Sequence, residues 1–156
     1  MEFNSEIKFR RCLDNEDDMK LIFDWSNDEE VRKNSFSSEK IKFEDHKNWF
    51  QKKINEADYY ILFFLVDGKE TGLVRLAVSD NVGTISYQIS REYRGKGLGK
   101  LMLELLESYV LENNIASNLY GEVKEENISS QRIFERLGYK KTVEENKIEY
   151  TKVLKG

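Results

Sequence analysis

The chain has 156 residues, a net charge of −4, 12% aromatic residues and no proline. That length suits one domain, residues 1–156, with a full core, and the aromatic content excludes a disordered composition. A single cysteine and a single histidine exclude an internal disulfide and leave no zinc cluster, so no metal is expected, and the acidic balance argues against general nucleic-acid binding.

No run approaches the roughly 20 apolar residues of a membrane span, and no signal-like segment opens the chain, so a cytoplasmic protein without a membrane partner is expected. Residues 6–13 alternate, with Ile7, Phe9, Arg11 and Leu13 on one side, and predict a strand. Cys12 in that strand reads as a packed thiol rather than a nucleophile. Asn15 followed by Asp18 marks a helix start, and Met19, Ile22 and Phe23 supply its apolar stripe. Ser37 and Ser38 offer the cap of a second helix, in which Phe43, Lys47, Phe50 and Ile54 repeat at helical spacing and which runs to about Lys53. Residues 59–66 form a short, dense apolar run, which favours a central strand. Asp67-Gly68 signals a hairpin turn. Strands follow at about 71–79 and 83–90, separated by Asp80-Asn81.

The next stretch is the most informative. Gly95, Gly97 and Gly99 lie between an alternating strand and a helix striped by Leu98, Leu101, Met102, Leu105, Leu106, Tyr109 and Val110. Asn113-Asn114 ends that helix. Residues 118–124 then read as a strand, 129–137 as a short helix, and 139–144 with 148–154 as a terminal hairpin. A strand, a glycine turn and a helix start make a phosphate site, because the first helical amides lack partners and sit at the positive end of the dipole. Arg91, Arg94, Lys96 and Lys100 add positive charge there. A P-loop is excluded, since Leu101 stands where its hydroxyl residue belongs. A dinucleotide fingerprint is excluded too, since Lys100 stands at the third glycine position counted from Gly95.

What remains is R-x-x-G-x-G, carried by Arg94, Gly97 and Gly99. It resembles the acetyl-coenzyme A motif of the GCN5-related N-acetyltransferases, the GNAT superfamily. Asn127, Ser130, Phe134, Gly138 and Tyr139 match a second motif of that family. The resemblance implies an α+β domain on a mixed, mostly antiparallel seven-stranded sheet flanked by about four helices. It implies transfer of an acetyl group from acetyl-CoA to an amine by direct attack, without a covalent enzyme intermediate. The backbone near Gln88 and Ile89 would pair with the pantetheine arm. The turn Gly95, Lys96, Gly97, Leu98, Gly99 would hold the pyrophosphate, with Arg94, Lys100, Asn127 and Phe134 also on the coenzyme. A homodimer is implied by the family alone.

The chemistry needs a neutral amine, so a general base or a water relayed to one is required. Candidates are Glu122, Glu70, Asp80 and His46. It also needs a fate for the departing thiolate. Many family members carry a tyrosine seven residues after the Asn127 position, but here Phe134 has no proton to give. Either the thiol leaves unassisted, or Tyr120, Tyr139 or Ser129 substitutes. For the acceptor, Trp25 to Arg32, Asn34 to Ser37 and His46 to Phe50 resemble acetyltransferases that modify a 4-amino group on nucleotide-linked sugars, as in pseudaminic acid biosynthesis. Trp25, Trp49 and Tyr87 would stack on the base or sugar, and Arg32, Lys33 and Arg75 would meet the diphosphate. Alternative acceptors are a protein N-terminus and an aminoglycoside; a non-catalytic coenzyme sensor is the alternative outside enzymology.

Overall fold

Period-two patterning and two tight turns build a single mixed sheet in the computed structural model, which describes residues 5–155. The strands are β1 (Ile7–Arg11), β2 (Tyr59–Val66), β3 (Lys69–Ser79), β4 (Val82–Ile89), β5 (Asn118–Val123), β6 (Lys140–Val143) and β7 (Ile148–Val153), in the spatial order β1-β2-β3-β4-β5-β7-β6. Five pairings are antiparallel and β4 with β5 is parallel. The helices are α1 (Glu16–Ser26), α2 (Glu29–Asn34), α3 (Phe43–Lys53), α4 (Leu98–Glu112) and α5 (Ile128–Arg136). This is the expected α+β fold, with four helices of nine residues or more and the short α2.

The β2–β3 and β3–β4 hairpins turn where the sequence places them, and β6 and β7 form the expected terminal hairpin. Asp67 and Gly68 have φ of 50° and 81°, and Asp80 and Asn81 have 51° and 65°. Paired positive φ values match the twist of the flanking strands. β2 is apolar throughout because both its faces are covered. Leu62 and Phe64 join the core under α4, with Leu76, Met102, Leu106 and Val110. Ile61, Phe63 and Leu65 join a second core under α1 and α3, with Ile22, Phe50 and Leu73. Cys12 is buried in that second core, and burial pushes its thiol up to about 12, which disfavours the reactive thiolate.

Two local expectations are corrected. Ser37 and Ser38 do not cap a helix: α3 begins at Phe43 behind Lys42, which makes no side-chain cap bond. The segment before it instead holds α2, started by Asp28, whose carboxylate accepts from the amides of Glu30 and Val31.

One feature of the sheet positions everything that follows. The β4–β5 ladder covers only Val82–Ile85 against Asn118–Gly121, while β4 runs on to Ile89 paired with β3 alone. The two parallel strands therefore fork beyond Ile85 and Gly121. At the fork, a Cβ on Gly121 would lie 2.7 Å from Phe134 Cζ, so only glycine lets that ring reach the strand.

Candidate active site

Beyond β4 the chain makes a single 3₁₀ turn over Arg91–Tyr93 and then the glycine bend. Gly95 and Gly97 have φ of 76° and 74°, and a Cβ on either would meet nothing within 4 Å. The bend is left-handed and open to one side. Gly97 is the N-cap of α4, makes no side-chain cap bond, and no acidic residue occupies the first turn. Among the described residues no side chain caps the first amides of α4, which makes this a ready anion site.

The bend opens onto a cleft of about 1040 Å³ along the β4–β5 fork. Of the residues singled out from sequence, Arg32, Arg75, Tyr87, Gln88, Ile89, Arg94, Gly95, Gly97, Leu98, Gly99, Lys100, Glu122, Asn127, Ser129 and Phe134 line it. Trp25, Lys33, His46, Trp49, Glu70, Asp80, Lys96, Tyr120 and Tyr139 do not. Sheet alternation divides the lining into two walls. Tyr87, Ile89 and Phe134 belong to the α4–α5 side. Arg75 pairs in register with Ser86, and Gln88 with Leu73 of the other core, so these face the α1–α3 side. Glu122 shares that side, because Tyr120, two residues earlier, is in register with Thr84. The Ser90 amide donates to Thr71 on β3, so the polar backbone groups of Ile89 face the fork.

The cations divide differently from the sequence expectation. Arg94 turns away from the bend: Nη2 meets Asp28 at 2.8 Å, Nη1 meets Glu30 at 2.9 Å, and Nε donates to the Ile89 carbonyl at 3.0 Å. Lys100 pairs with Glu104 at 2.8 Å, and Lys96 lies 5.6 Å from the Tyr93 ring. Sequence reasoning missed Arg132 and Arg136, one turn apart on α5, which also line the cleft. Their signal was that helical spacing just after Asn127.

Of the base candidates, only Glu122 lines the cleft, and its two oxygens accept from Lys147 Nζ at 3.0 and 3.2 Å. His46 is 3% exposed, and its Nε2–H donates to the Met19 carbonyl at 2.8 Å. Its ring packs among Phe23, Trp49 and Phe50, and burial holds its pKa below 6.5. The expected catalytic role is thus replaced by a packing one. Glu70 pairs with Arg10 and lines a separate cavity of about 370 Å³ with Trp25. Asp80 is spent in its hairpin turn.

The acid candidates sort as sharply. Tyr120 donates to Glu149, and burial with neighbouring carboxylates raises its pKa. Tyr139 is buried with its hydroxyl unpartnered, and burial again raises its pKa. Neither reaches the cleft; Ser129 does, and it donates to Asn127 Oδ1 at 3.3 Å. Phe134 is 2% exposed, stacked 5.0 Å from Tyr150 and edge-on to Tyr139 at 4.9 Å.

The proposed stacking trio is not brought together. Trp25 packs edge-on to Phe63, Trp49 lies under the Arg75 guanidinium at 5.5 Å, and Tyr87 is on the opposite wall. Arg32 is consumed locally: it donates to the carbonyls of Ser26, Ser37 and Glu39 and to Ser35 Oγ, ordering the 35–39 segment. Lys33 contributes its carbonyl to Lys124. Arg75 donates to Ser86 Oγ at 3.0 Å. Phe36, part of the Asn34–Ser37 stretch of the acceptor resemblance but given no role of its own, is 56% exposed and lines the cleft beside Ser35 and Ser37.

Comparison with known proteins agrees with this architecture. The family model described as an acetyltransferase (GNAT) domain matches residues 8–140. An uncharacterized protein of Methanocaldococcus jannaschii is 28% identical over 148 residues, which cover 89% of this chain and 29% of the relative. The chain thus spans less than a third of that relative's length. A crystallised domain from M. jannaschii superposes with a TM-score of 0.82 at 23% identity, covering 96% of this chain and 99% of the domain. Spermidine N-acetyltransferase from Vibrio cholerae, solved with CoA and spermine, superposes with a TM-score of 0.84 at 17% identity, covering 95% of each chain. These likenesses show a shared fold, and the match over most of the sequence settles the lineage: the chain belongs to the GNAT acetyltransferase family.

Proposed function

We propose that the protein, acting as one domain, transfers the acetyl group of acetyl-CoA to a primary amine, and that the amine is the 4-amino group of a nucleotide-activated sugar. The observation that carries the first part is the open, uncapped Gly95–Gly99 bend at the head of the forked cleft. The amides of Leu98, Gly99 and Lys100 suit a diphosphate, and Lys100, Arg132 and Arg136 offset its charge. The edge of β4 that the β4–β5 ladder leaves beyond Ile85, where the Ile89 carbonyl also accepts from Arg94 Nε, suits the amides of a pantetheine arm. Acetyl-CoA supplies an activated thioester; the chain positions it, excludes water and takes the amine proton. Glu122 is the proposed base, being the carboxylate candidate on the cleft's α1–α3 wall.

The acceptor assignment rests on that same wall. Arg75, bonded to Ser86 Oγ, lines the cleft where it suits a diphosphate, and exposed Phe36 offers a face for a ring. Arg32 and Arg75 also place positive charge there, which disfavours polycationic acceptors such as polyamines and aminoglycosides. A cytoplasmic location and a homodimer complete the reading.

A thiol-release assay with acetyl-CoA and a panel of amines tests it. The panel pairs UDP-linked 4-amino sugars with spermidine, an aminoglycoside and a peptide N-terminus. Preferential turnover of the nucleotide sugar is expected. Turnover of another amine overturns the acceptor assignment, and coenzyme binding with no turnover of any amine favours a sensor.

A further inference from the structure

Phe134 has no proton to give, yet a phenol stands beside it. Tyr87, on β4 two residues past the last β4–β5 ladder pair, faces the α4–α5 wall with its ring 6.1 Å from that of Phe134. Its hydroxyl lies 2.7 Å from Ser130 Oγ. Ser130 is itself pinned, because its amide donates to Asn127 Oδ1 at 3.3 Å. Tyr87, Ser130 and Phe134 all line the cleft. The hydroxyl pair therefore sits on the coenzyme wall of the fork, next to the ring that lacks one.

We propose that Tyr87 is the proton donor to the departing coenzyme sulfur and that Ser130 relays its replacement proton from the cleft. The inference rests on the acetyl-transfer reading above. The balance is simple. A C–N bond forms from the acceptor nitrogen to the acetyl carbon, and the C–S bond breaks. Tyr87 gives its phenolic proton to the sulfur, while the acceptor nitrogen loses one proton to Glu122 or water. Tyr87 regains a proton through Ser130 Oγ. Burial pushes the Tyr87 phenol up to about 12, so it stays protonated across the working range and holds the departing sulfur by a hydrogen bond, its proton passing over only as Ser130 delivers the replacement. A hydrogen bond from it to a thiolate is charge-assisted and in a desolvated setting, where such bonds are strong.

The test compares affinities for CoA and desulfo-CoA by calorimetry between pH 7 and 9.5, in the wild type and in Tyr87→Phe. The ratio of the two affinities isolates the sulfur, because Lys100, Arg132, Arg136 and the bend act equally on both ligands. In the wild type the ratio is expected to rise about tenfold as the thiol ionises, one pKa unit of stabilisation. In Tyr87→Phe the ratio stays flat and turnover falls about 100-fold. Ser130→Ala keeps the Tyr87 ring in place and serves if Tyr87→Phe does not fold; it is expected to lower turnover severalfold and blunt the rise. A rise that is identical in wild type and variants overturns the role of Tyr87 and leaves acetyl transfer standing. Failure of the wild type to bind either ligand overturns both.

Discussion

Arg94 and Asp28 are joined by a 2.8 Å ion pair that ties the start of the glycine bend to the start of α2. Asp28 does two jobs at once, since the same carboxylate caps α2 through the amides of Glu30 and Val31. Burial pushes its pKa up, but the bonds from Arg94 and the amides outweigh this and leave it below the usual carboxylate range. The bend at one end of the cleft and the α2 segment along its side are thus mechanically linked.

Arg94→Gln and Asp28→Asn should each cost about 1–3 kcal/mol of stability, as expected for losing charged hydrogen bonds. The double variant should cost little more than either alone, because both break one network. Urea unfolding of the four proteins measures this. A group whose folded pKa is depressed stabilises above its unfolded value and loses that contribution as pH falls through the folded one. The Asp28 contribution should therefore be complete above about pH 4 and vanish in stronger acid.

His46 gives a stability signal at milder pH. Its folded pKa lies below 6.5, so the unfolded chain takes the proton first. The neutral ring's contribution is complete above about pH 6.5 and declines as pH falls. The melting temperature should drop between pH 7.5 and 5.5, and His46→Gln should flatten that slope. Because the ring lies outside the cleft, the variant should keep the wild-type pH profile of turnover. A changed profile would restore His46 as a base.

Glu122→Gln should lower kcat by about 100-fold, the scale of general-base loss. Coenzyme affinity should be unchanged, since Glu122 lies on the α1–α3 wall. Steady-state kinetics with parallel calorimetry of coenzyme binding separates the two effects.

Much of this was legible from residue order alone. The alternation of β4, the glycine bend and the stripe of α4 are local patterns, and each forms as read. The run at 59–66 is a central strand because its dense apolar character answers to two covered faces. The parts that escaped depend on partners distant in sequence. Arg94 reads as a phosphate ligand until Asp28 and Glu30 are seen to claim it. Arg32 reads as a substrate contact until three carbonyls and a serine take its donors. His46 sits at the spacing of a packed helix residue, but its bond to Met19 is invisible without the α1–α3 contact. The six-residue α2 has no buried residue and hence no apolar stripe to betray it.

The central claim is that the bend around Gly97 grips the coenzyme's diphosphate through main-chain amides. Saturating acetyl-CoA should raise the melting temperature by mass action, by an amount that grows with ligand concentration. Gly97→Asp places a carboxylate at the uncapped helix start and a Cβ on a backbone with φ of 74°. Isothermal calorimetry of CoA on this variant and the wild type is the most direct measurement. The account predicts binding to the wild type and none detectable to Gly97→Asp; equal affinities for a folded variant would contradict it.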